Sequence, residues 1–184
     1  MNEGLISRRY AKALLEYAAA QGAADDTYRR MKILMESLRR VPKLHETLES
    51  PVVSPKRKIR LIVEAAGGGE APVMERFARL VLKEERTREL FDIAYSYVTL
   101  YRRVHNISVV ELTSAVEMPA EALDRIRRDV ESRTHGTVEF RSRIDPAIEG
   151  GLILQIDDMR MDASVRGQVE RVRRQFIQRN RTIV

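Results

Sequence analysis

Acid–base chemistry near neutral pH would have to run through His45, His105 and His135, the three histidines of this 184-residue chain. They lie far apart, each at the boundary of an expected element, where an imidazole caps a helix or faces solvent. No nucleophile–base pair can be assembled around any of them. The chain has no cysteine, which excludes disulfides, thiolate zinc sites, iron–sulfur clusters and cysteine nucleophiles together. Asp157, Asp158 and Asp162 offer oxygen ligands of the kind that hold Ca²⁺ or Mg²⁺, but the spacing lacks the glycine and distal glutamate of an EF-hand loop. A turn at Asp157-Asp158 followed by Asp162 as a helix N-cap accounts for them. Gly67-Gly68-Gly69 follows a helical pattern and is not succeeded by GK[ST], so it is no P-loop. Gly150-Gly151 precedes a strand rather than a helix, the wrong polarity for a dinucleotide fingerprint. The expectation is a chain that is not an enzyme, with no catalytic residue, no cofactor and no metal site.

Binding remains. The net charge of +6 and the pairs Arg29-Arg30, Arg39-Arg40, Arg102-Arg103 and Arg173-Arg174 could meet phosphates. Acids are interspersed nearly everywhere, however, as on solvated helix faces. Residues 1–105 hold 20 basic and 14 acidic side chains, whereas residues 106–184 hold 13 of each. The arginine-rich end, 171–184, also suits a helix C-terminus, where cations complement the macrodipole. A basic helical RNA-binding adaptor stays as the rival reading, with no nucleic acid as the preferred one. The longest uncharged stretch, Ile93 to Tyr101, has nine residues, where a membrane span needs about 20. The opening Met-Asn-Glu-Gly lacks the layout of a signal peptide.

The elements fall into two groups. From residue 4 to about 105, apolar residues recur at helical spacing in six segments with short connections, which predicts an antiparallel six-helix bundle. The first segment ends at Gln21-Gly22, and Asp25 or Asp26 is the expected N-cap of the second. Val41-Pro42 breaks that helix before a short turn with Leu44 and Leu48. Ser54-Pro55 starts the fourth segment, Pro72 the fifth and Leu90 the sixth. At His105-Asn106 the period changes. Ile107 to Leu112 reads as a strand, Pro119 opens a helix, and Val138, Phe140, Ser142 and Ile144 alternate with charged residues as a second strand. Leu152 to Ile156 is a third, and a last helix runs to about residue 180. The fold class is therefore mostly α: a helical bundle over 1–105 and a small α/β domain over 106–184.

Two of these helices are apolar over too much of their circumference. Leu5, Ile6, Tyr10, Ala13, Leu14, Tyr17 and Ala18 cover about 220° and the fifth helix about 200°, where a surface helix needs little more than about 100°. Either both are central, or they form a groove that accepts an amphipathic helix from a partner. The candidate groove residues are Tyr10, Ala13, Leu14, Ala18, Val73, Phe77, Leu80 and Val81. Phe77→Asp is expected to weaken such binding without unfolding the bundle. In the last helix Val165, Val169, Val172 and Phe176 make a stripe that is either core or a partner seam.

Three segments carry a resemblance. Arg9-Tyr10-Ala11-Lys12-Ala13-Leu14, then Ala18, resembles the opening RYAxAL…A signature of the delta subunit of F-type ATP synthases, relatives of the mitochondrial oligomycin-sensitivity-conferring protein. Leu48-Glu49-Ser50-Pro51-Val52-Val53 with Lys56 and Lys58 is similar to the family's L-x-[NS]-P segment. Gly150-Gly151-Leu152 through Asp162-Ala163-Ser164-Val165-Arg166-Gly167-Gln168 is similar to its GG…D-G-S-[VI]-R-G-[RQ] signature. Ala163 stands where the family usually has Gly, Asp157 replaces a common turn Gly, and Glu149 replaces an apolar residue. The first two bear on turn geometry, since Ala tolerates positive φ poorly. The resemblance implies a stator role. The bundle would bind N-terminal segments of alpha subunits, one of them as a helix in a groove involving helices one and five. The α/β part would meet the b-type peripheral stalk. The protein would sit peripherally at the cytoplasmic face of the bacterial inner membrane, touching the membrane only through the complex and resisting rotor torque during proton-driven ATP synthesis.

Overall fold

The computed structural model describes residues 3–134 and 136–181, with side chains over 4–133 and 136–174. The chain divides into two compact units, Met1–Val104 and His105–Val184. The first is made of α1 (Glu3–Ala20), α2 (Ala24–Arg40), α3 (Pro42–Glu49), α4 (Pro55–Ala65), α5 (Pro72–Lys83) and α6 (Leu90–Val104). Proline occupies the first helical position of α3, α4 and α5, where its missing N–H costs nothing and its fixed φ suits the helix. Ser54 is the residue before α4, but its hydroxyl makes no capping bond.

The start of α2 differs from the expectation. The N-cap is Ala23, because its N–H donates to the Ala18 carbonyl at 2.9 Å and carries the chain straight from α1 into α2. Asp25 and Asp26 sit inside the first turn instead, where carboxylates favour the helix dipole. Asp26 accepts from Arg30 at 2.6 Å and Arg29 at 3.2 Å, and Asp25 accepts from the Tyr101 hydroxyl.

α1 and α2 pack on α6, and α4 packs on α5 and α2. α6 buries Leu90, Ile93, Ala94, Tyr97, Val98 and Tyr101. The Tyr101 ring stacks on Tyr28 at 4.1 Å between centroids, Arg102 donates to the Tyr28 hydroxyl at 2.9 Å, and Lys32 lies 4.4 Å over the same ring. Burial, and then the bond to Asp25, pushes the Tyr101 phenol up to about 12. Burial likewise raises Tyr97.

The second unit contains β1 (Ile107–Ser114), α7 (Ala120–Thr134), β2 (Thr137–Ile144), a 3-10 turn (Pro146–Ile148), β3 (Leu152–Ile156), β4 (Met159–Asp162) and α8 (Val165–Arg181). The sheet order is β2-β1-β3-β4. β1 and β2 pair in parallel, which requires a crossover, and α7 supplies it. β3 pairs antiparallel with β1 and with β4. β4 is an addition to the expected elements: Met159–Asp162 alternates apolar and charged residues over only four positions, too short to mark a strand alone, and it becomes one by pairing with β3 across the Asp157-Asp158 turn. Asp157 takes φ +49° while its carboxylate accepts the Val109 N–H at 2.9 Å and its own N–H donates to the Val109 carbonyl at 3.0 Å. An anchored Asp thus does the work of a turn glycine, and Ala163 stays outside the left-handed region. Glu149 enters it, at φ +64°, closing the 3-10 turn.

Candidate docking surfaces

The wide apolar arc of α1 resolves into two stripes. Ser7, Ala11, Leu14 and Ala18, at i, i+4, i+7 and i+11, are buried. Ile6, Tyr10, Ala13 and Tyr17, at the same spacing one residue earlier, stay half-buried or exposed. α5 divides likewise. Val73, Met74, Phe77, Ala78 and Val81 are buried, and Leu80 is left 44% exposed. α5 is tied to the open α1 stripe by Arg76, whose guanidinium lies 5.0 Å from the Tyr17 ring centroid and donates to its hydroxyl at 3.4 Å. Leu80 follows Arg76 by one helical turn.

Of the eight candidate groove residues, Leu14, Ala18, Val73, Phe77 and Val81 therefore lie under the surface, and Tyr10, Ala13 and Leu80 lie on it. Phe77 is only 3% exposed, which corrects the expectation for Phe77→Asp: an unpaired carboxylate there would break the core before it reached any partner. Tyr17 and Arg76 were missed as surface-makers. Their cross-helix contact has no signature at the level of one sequence, although Tyr17 lay within the arc.

In the second unit the Gly-Gly…Asp-Ala-Ser-Val-Arg-Gly segment is a lock that sets the start of α8. Asp162 Oδ1 accepts from the Ser164 N–H at 3.0 Å and from its hydroxyl at 2.6 Å. Ser164 Oγ accepts the Gly167 N–H at 3.0 Å. Ser164, immediately before α8, is thus the N-cap; Asp162 is expected in that role but acts one step back, because β4 extends through residue 162. The Ser164 hydroxyl and N–H hold the Asp162 carboxylate below its ordinary value of 3.8, with Arg160 and Arg171 adding attraction. Two glycines make room. A Cβ at Gly151, where φ is +72°, would collide with the Ala163 carbonyl oxygen, and one at Gly167 would stand 2.6 Å from Asp162 Oδ1. Backbone bonds from Ala163 to Leu152 at 2.9 Å and from Val165 to Gly150 at 3.0 Å complete the joint. Asp157 and Asp162 are thereby committed to backbone and cap bonds. Beyond the lock, Val165, Val169 and Val172 are 43%, 59% and 51% exposed, so this stripe is open along the described side chains. Phe176 and His135 lie outside them.

Neither unit gathers the histidines: His45 is in α3 and His105 at the start of the second unit. No helix among the described residues is long and apolar enough to cross a membrane.

Residues 6–176 match the family model described as the ATP synthase delta (OSCP) subunit. The chain is 47% identical over 182 residues to ATP synthase subunit delta of Phocaeicola vulgatus, covering 98% of each chain. It is 43% identical over 186 residues to its counterpart in Bacteroides thetaiotaomicron, covering 100% of each. Gloeobacter violaceus has a relative of the same name, 32% identical over 173 residues and 91% of each chain. Among solved structures, a chain in the cryo-EM structure of the Toxoplasma gondii mitochondrial ATP synthase hexamer superimposes with a TM-score of 0.68, covering 93% of this chain and 97% of that one at 17% identity; the fold is shared. None of these relatives supports the RNA-binding alternative. The chain belongs to the ATP synthase delta (OSCP) subunit family, the non-catalytic stator subunits of F-type ATP synthases.

Proposed function

We propose that the two units divide the stator task. The six helices, as an antiparallel bundle, hold the catalytic head by taking an alpha-subunit N-terminal helix along the open stripes of α1 and α5. The second unit meets the b-type stalk, with Val165, Val169, Val172 and Phe176 as candidate contacts. The protein then works peripherally at the cytoplasmic face of the inner membrane, held there by the complex. Two moderate contacts on one chain hold better than either alone, since each raises the effective concentration of the other. The observation that carries the reading is the half-open stripe on α1, tied to α5 by the Arg76–Tyr17 contact, with Leu80 exposed one turn beyond Arg76. Contiguous exposed apolar surface is a feature of docking sites, whereas isolated apolar residues are not.

The test is calorimetric titration of the full-length chain with a synthetic peptide of the same organism's alpha-subunit N-terminus. Leu80→Asp and Ala13→Asp, both at exposed positions, should each weaken binding by about tenfold or more while leaving the circular-dichroism melt in place. Unchanged affinity in both variants would remove the α1/α5 surface from the reading.

A further inference from the structure

The three-glycine run between α4 and α5 is a joint held from a third helix. Gly67, Gly68 and Gly69 all take positive φ, at +106°, +66° and +73°. Glycine reaches such values as readily as negative ones, so the run by itself sets no direction for the helix that follows. α5 begins at Pro72, packs mainly on α4 and meets α1 only thinly. Its place beside α1 therefore depends on what fixes the α4–α5 connection.

α2 supplies that hold from one face. Arg30, Ile33 and Ser37 stand at i, i+3 and i+7, one stripe of the helix. The Ser37 hydroxyl donates to the Ala65 carbonyl at 2.8 Å, at the end of α4. Ile33 Cδ1 lies 3.2 Å from where a Cβ on Gly67 would stand. Arg30 donates from Nη1 to the Gly68 carbonyl at 2.6 Å and from Nη2 to the Glu70 carbonyl at 3.1 Å, bracketing Gly69. Its Nε donates to Asp26 at 2.6 Å, so the guanidinium plane is oriented from within α2. The Arg30 side chain is only 15% exposed, and charge-assisted bonds from a fork of fixed geometry are the stronger and less entropically costly ones. Of the Arg29-Arg30 pair, Arg29 stays open to solvent and Arg30 is committed to the joint.

We infer that Arg30 is a positioning residue for partner binding on the helical unit: it turns the glycine joint into a fixed corner and sets α5 beside α1. Tyr10 and Ala13 on α1 and Leu80 on α5 then meet a partner as one surface. The inference rests on the reading that this surface takes the alpha-subunit segment, and it gives that binding a determinant outside the surface itself.

A chain whose α5 is in place only part of the time binds with its affinity reduced by that fraction. The reduction falls on association, because the complex once formed is the same. Stopped-flow mixing of the full-length chain with a fluorophore-labelled alpha-subunit N-terminal peptide reads the two rates separately. Arg30→Ala should slow association about tenfold and leave dissociation unchanged. Arg30→Lys keeps the charge but not the fork, and should slow association about threefold; it carries the test if Arg30→Ala loses its cooperative melt. Leu80→Asp, a change in the surface itself, should instead speed dissociation. In the unliganded Arg30→Ala chain, amide exchange should quicken about tenfold over residues 66–83 and hold in α1 and α6.

Association at the unaltered rate in both Arg30 variants overturns the inference and leaves the α1/α5 reading standing. Faster dissociation in place of slower association also overturns it, since Arg30 would then be a direct contact. So does faster exchange throughout the helical unit, which would make Arg30 a general stabiliser of the core. If the unaltered chain does not bind the peptide, the reading and the inference fall together.

Discussion

The helical unit and the sheet unit bury apolar surface very unequally. Among the described residues, the first unit supplies 23 buried hydrophobic side chains and the second four: Val110, Leu112, Val130 and Ile148. The helical unit completes its core by packing α1 and α2 on α6 and α4 on α5, and leaves apolar residues such as Leu5, Leu80 and Tyr95 open at its surface. The sheet unit holds itself together through backbone pairing, an anchored Asp157 turn and the Asp162–Ser164–Gly167 lock. It leaves the α8 stripe and the β4 edge of one sheet face uncovered, with Met159 and Met161 72% and 55% exposed. A unit that completes its own core can dock a partner as a graft on its surface. One that leaves its layer unfinished gains stability from the partner itself, since whatever binds the native form alone stabilises it.

The largest test of this contrast is Phe77→Asp against Leu80→Asp. The first puts a charge in the core and should cost more than about 3 kcal/mol, abolishing the cooperative melt of the helical unit. The second changes an exposed position and should stay within about 0.5 kcal/mol. Equal melts would mean that α5 is not organised as described.

Gly151→Ala should cost about 2–4 kcal/mol, through a collision with Ala163 and an unfavourable positive φ. Hydrogen exchange should accelerate over β3, β4 and the start of α8 and remain unchanged in α1 to α6. Acceleration in both units would refute their independence.

The pH extremes should act on opposite units. Tyr101 has a folded value raised to about 12 from an ordinary 10.0, so its stabilisation is present below pH 10 and lost as pH rises toward 12. Alkaline melts followed by tyrosinate absorbance should weaken the α2–α6 contact first. Asp162 is lowered from 3.8, so its contribution is present above that value and lost as pH falls below it. Acid should loosen the start of α8 while α6 keeps its protection. The smallest effect is expected from Ser164→Ala, about 1 kcal/mol for a lost N-cap, read as fraying of α8 in amide exchange.

Much of the fold was legible because local rules act locally. Pro42, Pro55 and Pro72 mark helix starts through their fixed φ and missing N–H, and the change from helical spacing to β-branched residues after His105 marks the second unit. The caps were misread at Asp25, Asp26 and Asp162 because which residue caps depends on where the preceding element stops. For Asp162 that element was β4, whose existence depends on β3 lying beside it. The docking residues were half legible. The arcs of α1 and α5 announced surplus apolar surface, but an apolar residue looks the same in one dimension whether it faces a neighbour or water.

Composition and motif by themselves determined the absence of cysteine chemistry, the two-part organisation and the family, since these depend on residue type and order. Tertiary packing decided that Leu14 and Phe77 are core while Tyr10 and Leu80 are surface, and that Arg76 closes on Tyr17. It also decided that Met159 and Met161 edge an open sheet. Burial is a relation between distant segments, and only the folded chain sets which segments meet.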